Sequence, residues 1–193
     1  MMEMRQGHTR ERKGRPAMAT TINKPVMHAG VGKAEHKNPV DYVWAAARIA
    51  IGWIFLWAFL DKTFGLGFAT PAAKAWINGG SPTTGFLKGT GEHALGGFFT
   101  GLAGQAWVDW LFMAGLAGVG VALVLGLGTR IAAGAGTAML LLMWAAELPL
   151  TTNPFMDDHI VYAIVLIGLA LAGAGRTLGL GNLPIVRRTP WLQ

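Results

Sequence analysis

"WLFMAGLAGVGVALVLGLGT", from Trp110 to Thr129, contains no charged residue over twenty positions. A bilayer hydrocarbon core of about 30 Å requires roughly 20 apolar residues in a helix. This stretch therefore predicts a membrane-spanning helix. Three further stretches are similarly apolar: Tyr42 to Leu60, Ile131 to Ala146 and Ile160 to Gly175. The first of these contains one charged residue, Arg48, and the other two contain none.

The composition supports a membrane protein, with 52% hydrophobic and only 13% charged residues. Backbone groups in lipid must pair within their own segment, and the stretches lack the alternation of barrel strands, so we expect helices. The third and fourth stretches are short. Their spans need flanking residues, Glu147 to Leu150 and Asp157 to His159, which places these polar groups at the interface.

The connections predict the topology. Two are tight, "LGTR" at Leu127 to Arg130 and "PLTTNPFM" at Pro149 to Met156, and such turns favour antiparallel neighbours. We therefore expect an all-α, integral membrane four-helix up-down-up-down bundle over residues 41–181. Its one long connection, residues 61–106, is predicted to be an external loop between helices 1 and 2, with a short helix in "PAAKAWI" and a turn at "GGSP".

Basic residues predict the orientation. Residues 1–40 contain eight Lys or Arg against three Glu, and no apolar run of a signal peptide follows them. We expect a disordered cytoplasmic tail there, in contact with membrane lipid, and no nucleic acid partner because aromatic residues are not interleaved. The positive-inside rule then puts both termini, including the C-terminal tail 182–193, in the cytoplasm, with Arg48 snorkelling to that surface.

Residue types exclude several cofactors. The chain has no cysteine, which excludes disulfides, thiolate metal sites and iron–sulfur clusters. His159 is the one histidine near a predicted span, so a bis-histidine haem is not expected. No metal site is predicted either, because a single histidine with dispersed carboxylates has no diagnostic spacing.

Ionisable residues gather at the predicted external end, where six of them come from four helices: Asp61, Asp109, Glu147, Asp157, Asp158 and His159. Some have modest explanations. Asp157 or Asp158 can cap a helix N-terminus, and Asp61 beside Lys62 can form a solvated pair. Glu147 lies deeper, where an ionisable residue is a functional candidate by default.

The pattern also predicts chemistry. A carboxylate raised in pKa by burial and a nearby histidine exchange protons around neutral pH, as quinone reduction or quinol oxidation requires. The catalytic candidates are Glu147, His159, Asp158 and Asp61. A second set supplies flat apolar walls for a quinone, the suspected cofactor: Trp144, Met143, Phe155 and Tyr162.

Three segments resemble the DoxX family, in particular its DoxD-like members, which are related to the small membrane subunit of thiosulfate:quinone oxidoreductase. They are "NPFMDDHIVYAIVLIGLALAGAGRTLGLG" from Asn153, "ARIAIGWIFLWAFLDKTFG" from Ala47 and "GGSPTTGFL" from Gly79. The resemblance covers roughly residues 42–181. It implies a four-helix protein of the bacterial or archaeal plasma membrane, working with a partner subunit in a membrane complex, which oxidises thiosulfate to tetrathionate and passes electrons to quinone.

Two functions stay open on the sequence. One is a quinone-linked redox subunit that uses Glu147 and His159 for proton transfer. The other is a non-catalytic subunit that anchors or stabilises a larger respiratory or redox complex. An anionic substrate conflicts with the acidic external end, because it would need Lys62, Lys74, Lys88 or helix N-termini to hold it.

Overall fold

The computed structural model describes residues 38–189, and within these residues it is helical and contains no strand. The all-α prediction is therefore confirmed for this part of the chain. The predicted basic tail lies outside the described residues up to position 37, as do residues 190–193 of the predicted C-terminal tail.

Four long helices form the core, and short helices occur in the connection between the first two of them and after the last. The helices are α1 (Pro39–Phe64), α2 (Thr84–Gly89), α3 (Gly96–Leu102), α4 (Ala106–Leu125), α5 (Thr129–Ala146), α6 (Asp158–Ala172) and α7 (Pro184–Arg187). The long helices are α1, α4, α5 and α6. Of these, α1, α4 and α5 are long and apolar enough to cross a membrane, as predicted, whereas α6 is shorter with 15 residues.

Local sequence sets both ends of α1. Asn38 caps its start by accepting the N–H of Val40 at 3.2 Å, while Asp41 accepts the N–H of Asn38 at 2.9 Å. This reciprocal pair is a capping box. Gly65 ends the helix in the left-handed conformation, at φ 66°, which a residue with a Cβ adopts at a cost.

Glycines let α1 and α4 pack closely and antiparallel. A Cβ on Gly52 would lie 2.8 Å from Cβ of Leu123, and one on Gly120 would lie 2.7 Å from the backbone nitrogen of Leu56. Positions rising along α1 thus meet positions falling along α4. The core between the long helices is apolar, as burial of side chains without polar groups favours; its fully or nearly fully buried members include Ile51, Phe55, Met113, Leu116, Val119, Leu123, Leu140, Leu166 and Leu169.

The long external loop predicted between the first two spans is not confirmed. The helix α1 continues through Asp61 to Phe64, and the remaining connection, residues 65–105, contains α2, α3 and three short 3-10 turns. "PAAKAWI" forms two such turns, Ala72–Lys74 and Trp76–Asn78, in place of one helix. We call residues 65–105 the connecting segment.

The connecting segment packs where α4 begins and α5 ends. Leu87, Phe99 and Ala146 form a second buried cluster, with Val108 of α4 against it. The N–H of Ala94 donates to the carbonyl of Leu148 at 2.8 Å. The segment therefore covers the start of α4 and the end of α5, near Asp109 and Glu147.

Candidate functional site

The turn between α5 and α6 joins two helix ends. Glu147 is the C-cap residue directly after α5, and Asp157 is the N-cap residue directly before α6. The indole Nε1 of Trp144 donates to the carbonyl of Phe155 at 2.9 Å, which fixes the turn against the last part of α5. Side chains separated by about ten positions in sequence are thus held side by side.

Asp157 has two roles at the start of α6. Its Oδ1 accepts the N–H of Ile160 at 3.2 Å, so the predicted helix cap is confirmed for this aspartate. Its Oδ2 lies 2.8 Å from Nδ1 of His159. A carboxylate in this position favours the tautomer with the proton on Nδ1.

Glu147 completes a three-residue group with Asp157 and His159, which we call the His159 cluster. One ligand or acceptor atom from each of the three lies within 4.8 Å of the others, and all three side chains are half-buried. Two carboxylates around one imidazole can relay a proton. The same donor set, one nitrogen and two carboxylate oxygens, also suits a divalent cation.

Asp158, another catalytic candidate, lies at the edge of this group. Its side chain is 72% exposed and its Oδ1 is 3.8 Å from Nδ1 of His159. The distance exceeds that of a hydrogen bond. Asp158 therefore adds negative charge near the imidazole, whereas Asp157 is the aspartate that contacts the ring directly.

Asp61 is held by the connecting segment. It is 2% exposed, and its two oxygens accept the N–H groups of Phe68 at 3.2 Å and Ala69 at 3.0 Å. The expected solvated pair with Lys62 is therefore wrong, because the carboxylate is buried and its acceptors are used by backbone amides. In this position Asp61 fixes the chain after α1.

Asp109, also one of the six ionisable groups, anchors the same segment further along. It is 8% exposed, and its Oδ1 accepts the hydroxyl of Ser81 at 2.9 Å and the N–H of Thr83 at 3.2 Å. These donors satisfy the buried carboxylate, as buried polar groups require. Two members of the predicted acidic group thus position the connecting segment.

The four predicted quinone contacts differ in their surroundings. Phe155 is 61% exposed, whereas Tyr162 packs against the main core. Met143 and Trp144 are half-buried. The hydrogen bond of Trp144 reaches the backbone carbonyl of Phe155, and Tyr162 follows His159 by one turn of α6, so a shared quinone wall stays a prediction.

Arg48 has a role that the sequence reasoning missed. Its side chain is fully buried, so the expected snorkelling to the surface is wrong. Its Nη1 donates to the carbonyls of Leu123 and Val124 in the last turn of α4, and its Nη2 donates to the carbonyl of Leu178 at 2.8 Å. The guanidinium thus ties the end of α4 to the chain after α6.

The sequence feature that indicates this contact is the group of glycines that lie around Arg48. A Cβ on Gly126 would lie 3.0 Å from Nη1 of Arg48, and one on Gly179 would lie 3.2 Å from Nη2. Cations favour helix C-termini, where carbonyls lack partners. An arginine in an apolar helix together with "GLG" and "LGLG" after two others is therefore a recognisable pattern.

Two of the three lysines considered for an anion meet in one cavity. Lys62 and Lys74 both contribute to the wall of a cavity of about 620 Å³ beside the end of α1, whereas Lys88 does not. This cavity shares no lining residue with the His159 cluster.

Comparison with protein families, with curated proteins and with solved structures finds no match to this chain.

Proposed function

We propose that this protein is the membrane subunit of a quinone-linked redox system, with the His159 cluster as its proton-transfer site. The observation that carries the proposal is the contact of Glu147, Asp157 and His159 within 4.8 Å at the ends of two apolar helices. Ionisable groups at the ends of membrane spans are costly to bury, so a cluster of them is a functional candidate. The redox part of the proposal rests on the resemblance to the DoxX family.

The proposed setting is a four-helix up-down-up-down bundle in a bacterial or archaeal plasma membrane, in which α6 is the fourth span and both termini are cytoplasmic. The charge bias of the chain supports this orientation. It places the His159 cluster at the outer surface of the membrane. Residues flanking α6, such as Asp157 and Gly173, extend its 15 residues towards the length of a span.

The electrons and protons of the proposed reaction balance for one quinone molecule. Reduction of a quinone to a quinol takes up two electrons and two protons. Oxidation of two thiosulfate ions to one tetrathionate ion, the reaction implied by the resemblance, supplies the two electrons. His159, as the imidazolium that Asp157 would stabilise, would give a proton to a quinone oxygen and regain one from Glu147, which would take its own from water; a second round would deliver the second proton.

The apolar side chains near the cluster would hold the quinone ring. Trp144 and Phe155 are fixed to each other by the bond between the indole and the carbonyl. Aromatic walls with a few polar groups are typical of cofactor sites. Electrons would arrive through a partner subunit, since the chain lacks cysteine for an iron–sulfur cluster.

The test is quinone reduction by the protein in nanodiscs, together with any partner that co-purifies, with thiosulfate as donor. Glu147→Gln and His159→Gln should each lower the rate about 100-fold, the lower end of the usual effect of a general acid or base. Glu92→Gln and His93→Gln are matched controls in the connecting segment and should retain full activity.

The outcomes separate the proposal from the alternative function. Bound quinone and a rate that depends on Glu147 and His159 support the redox role. A chain that binds no quinone, but is recovered with a stoichiometric partner whose activity is unaffected by both substitutions, would show an anchoring subunit instead.

A further inference from the structure

The cavity beside the end of α1 has features of a ligand site that the redox proposal does not use. Its volume is about 620 Å³, and it lies between the last turn of α1 and the connecting segment. The polar lining comes from Lys62, Thr70, Lys74, Asn78, Ser81 and Thr84, and the apolar lining includes Pro71, Pro82 and Phe86. We call this cavity the lysine pocket.

The two lysines give the lysine pocket its cationic surface. No acidic residue lines the cavity among the residues that the structure describes, and neither Lys62 nor Lys74 forms a salt bridge to any described carboxylate. Lys62 has a weak contact, with Nζ 6.0 Å from the centre of the Phe112 ring. Each ammonium group therefore keeps donors for a ligand.

Two carboxylates near the cavity do not line it, namely Asp61, which is adjacent to Lys62 in the chain, and Asp109, which is bonded to the lining residue Ser81. The oxygens of Asp61 accept the amides of Phe68 and Ala69, and Oδ1 of Asp109 accepts Ser81 and Thr83. These hydrogen bonds hold the part of the connecting segment that forms the cavity wall. The ammonium groups of Lys62 and Lys74 are the charged groups that line the cavity, and they favour an anion.

The volume indicates what kind of anion fits. An inorganic oxyanion occupies only a few times the ~30 Å³ of one water molecule, and would leave most of the cavity to solvent. Sites for organic ligands are about 300–1,000 Å³ and combine apolar walls with a few polar groups. The lysine pocket has both properties.

The position of the pocket adds a constraint. Lys62 is in the last turn of an apolar helix that is long enough to span a membrane. Phe68, next to the lining residue Ala69, is 76% exposed and packs edge-on against Trp57, with ring centres 5.1 Å apart. Exposed aromatic side chains at the end of a span are typical of the membrane interface.

We infer that the lysine pocket binds the phosphate of an organic molecule, held by Lys62 and Lys74, with its carbon part against Pro71, Pro82 and Phe86. Lysine is a common phosphate ligand that acts as a point charge. The phosphate can belong to the headgroup of an anionic phospholipid or to a water-soluble phosphate ester. This inference does not depend on the proposed redox function, because the pocket shares no residue with the His159 cluster.

The experiment measures binding to the full chain with three probes. The first is glycerol 3-phosphate and the second is inorganic phosphate, both by calorimetry with protein in neutral phosphatidylcholine nanodiscs. The third is phosphatidylglycerol, measured by native mass spectrometry after exchange from mixed nanodiscs. Lys74→Gln is the main variant because Lys74 is exposed, so its replacement should not disturb folding. Lys88→Gln is the matched control, since Lys88 is an exposed lysine of the same segment outside the pocket.

We expect Lys74→Gln to weaken binding about tenfold, Lys62→Gln together with Lys74→Gln about a hundredfold, and Lys88→Gln less than twofold. Binding of glycerol 3-phosphate supports a soluble ligand, and selective retention of phosphatidylglycerol supports a lipid. Three results would overturn the inference: no binding of either organic probe, equal loss in Lys74→Gln and Lys88→Gln, or inorganic phosphate binding as tightly as both organic probes.

Discussion

Nδ1 of His159 lies 2.8 Å from Oδ2 of Asp157, while the other oxygen of the same carboxylate caps α6 through the N–H of Ile160. One side chain thus begins a helix and orients an imidazole. Any test of the proton-transfer role must separate these two effects, because loss of the cap alone would disturb the site.

Asp157→Ser makes this separation. Serine caps a helix about as well as aspartate, but it cannot stabilise an imidazolium by charge. We expect quinone reduction to fall about tenfold, a fraction of the full general acid–base effect, while the thermal unfolding temperature stays within a few degrees. Asp158→Ser should cost less activity, since Asp158 is 72% exposed and 3.8 Å from the ring nitrogen. Equal losses in the two variants would show that Asp157 has no special role.

Gly120→Ala tests the close contact of α1 and α4. The new Cβ would lie 2.7 Å from the backbone nitrogen of Leu56, so the two helices must separate at a cost of about 1–3 kcal/mol. Gly118→Ala is the matched control on the same helix, because nothing lies within 4 Å of its Cβ position. Thermal unfolding in one detergent should show a clear loss for the first variant and none for the second. A pair of equal curves would contradict the packing.

Arg48→Lys tests the contact between the end of α4 and the chain after α6. A lysine ammonium is compact and cannot reach both sets of carbonyls as the planar guanidinium does. The buried carbonyls would lose donors at a cost of about 1–3 kcal/mol each. We expect a lower unfolding temperature and faster proteolysis between residues 173 and 183. Arg188→Lys, at an exposed position, should change neither measurement.

Asp109 offers a test of how the connecting segment is held. Asp109→Leu removes the acceptor for Ser81 and Thr83, whereas Asp109→Asn keeps a neutral acceptor at the same place. We expect hydrogen exchange of the Thr83 amide to accelerate strongly in the leucine variant and weakly in the asparagine variant. Unchanged protection in the leucine variant would show that other contacts hold the segment.

Chelation decides between the two chemical uses of the His159 cluster. A proton relay needs no cation, so we expect quinone reduction to survive dialysis against EDTA without loss. If activity instead disappears and returns with zinc or manganese ions, Glu147, Asp157 and His159 are ligands of a catalytic metal.

The fold could be predicted from the sequence to the extent that it depends on apolar length. The uncharged run from Trp110 indicates α4 directly, because twenty consecutive residues without a charge are typical of a membrane-spanning helix. The end of α1 could not be predicted in this way. Asp61 and Lys62 look like the polar limit of a span, yet the chain folds back so that backbone amides satisfy Asp61 and the helix continues to Gly65.

In the site, too, some contacts could be predicted from the sequence and others could not. His159 and Asp157 are two positions apart, and a tight turn returns Glu147 to them, so local sequence was sufficient to place them together. Arg48 depends on partners 75 and 130 positions away, at Leu123 and Leu178. The lysine pocket likewise depends on how the connecting segment folds over α1. Such contacts between distant positions leave only indirect traces in one sequence, here the glycines beside Arg48.

The most direct test of the central claim is a double-mutant cycle on quinone reduction with Glu147→Gln, His159→Gln and the double variant. Residues that pass one proton along a chain act as a unit, so the double variant should be about as slow as either single variant. If the two losses multiply instead, or if either substitution leaves the rate unchanged, Glu147 and His159 do not form one proton-transfer site.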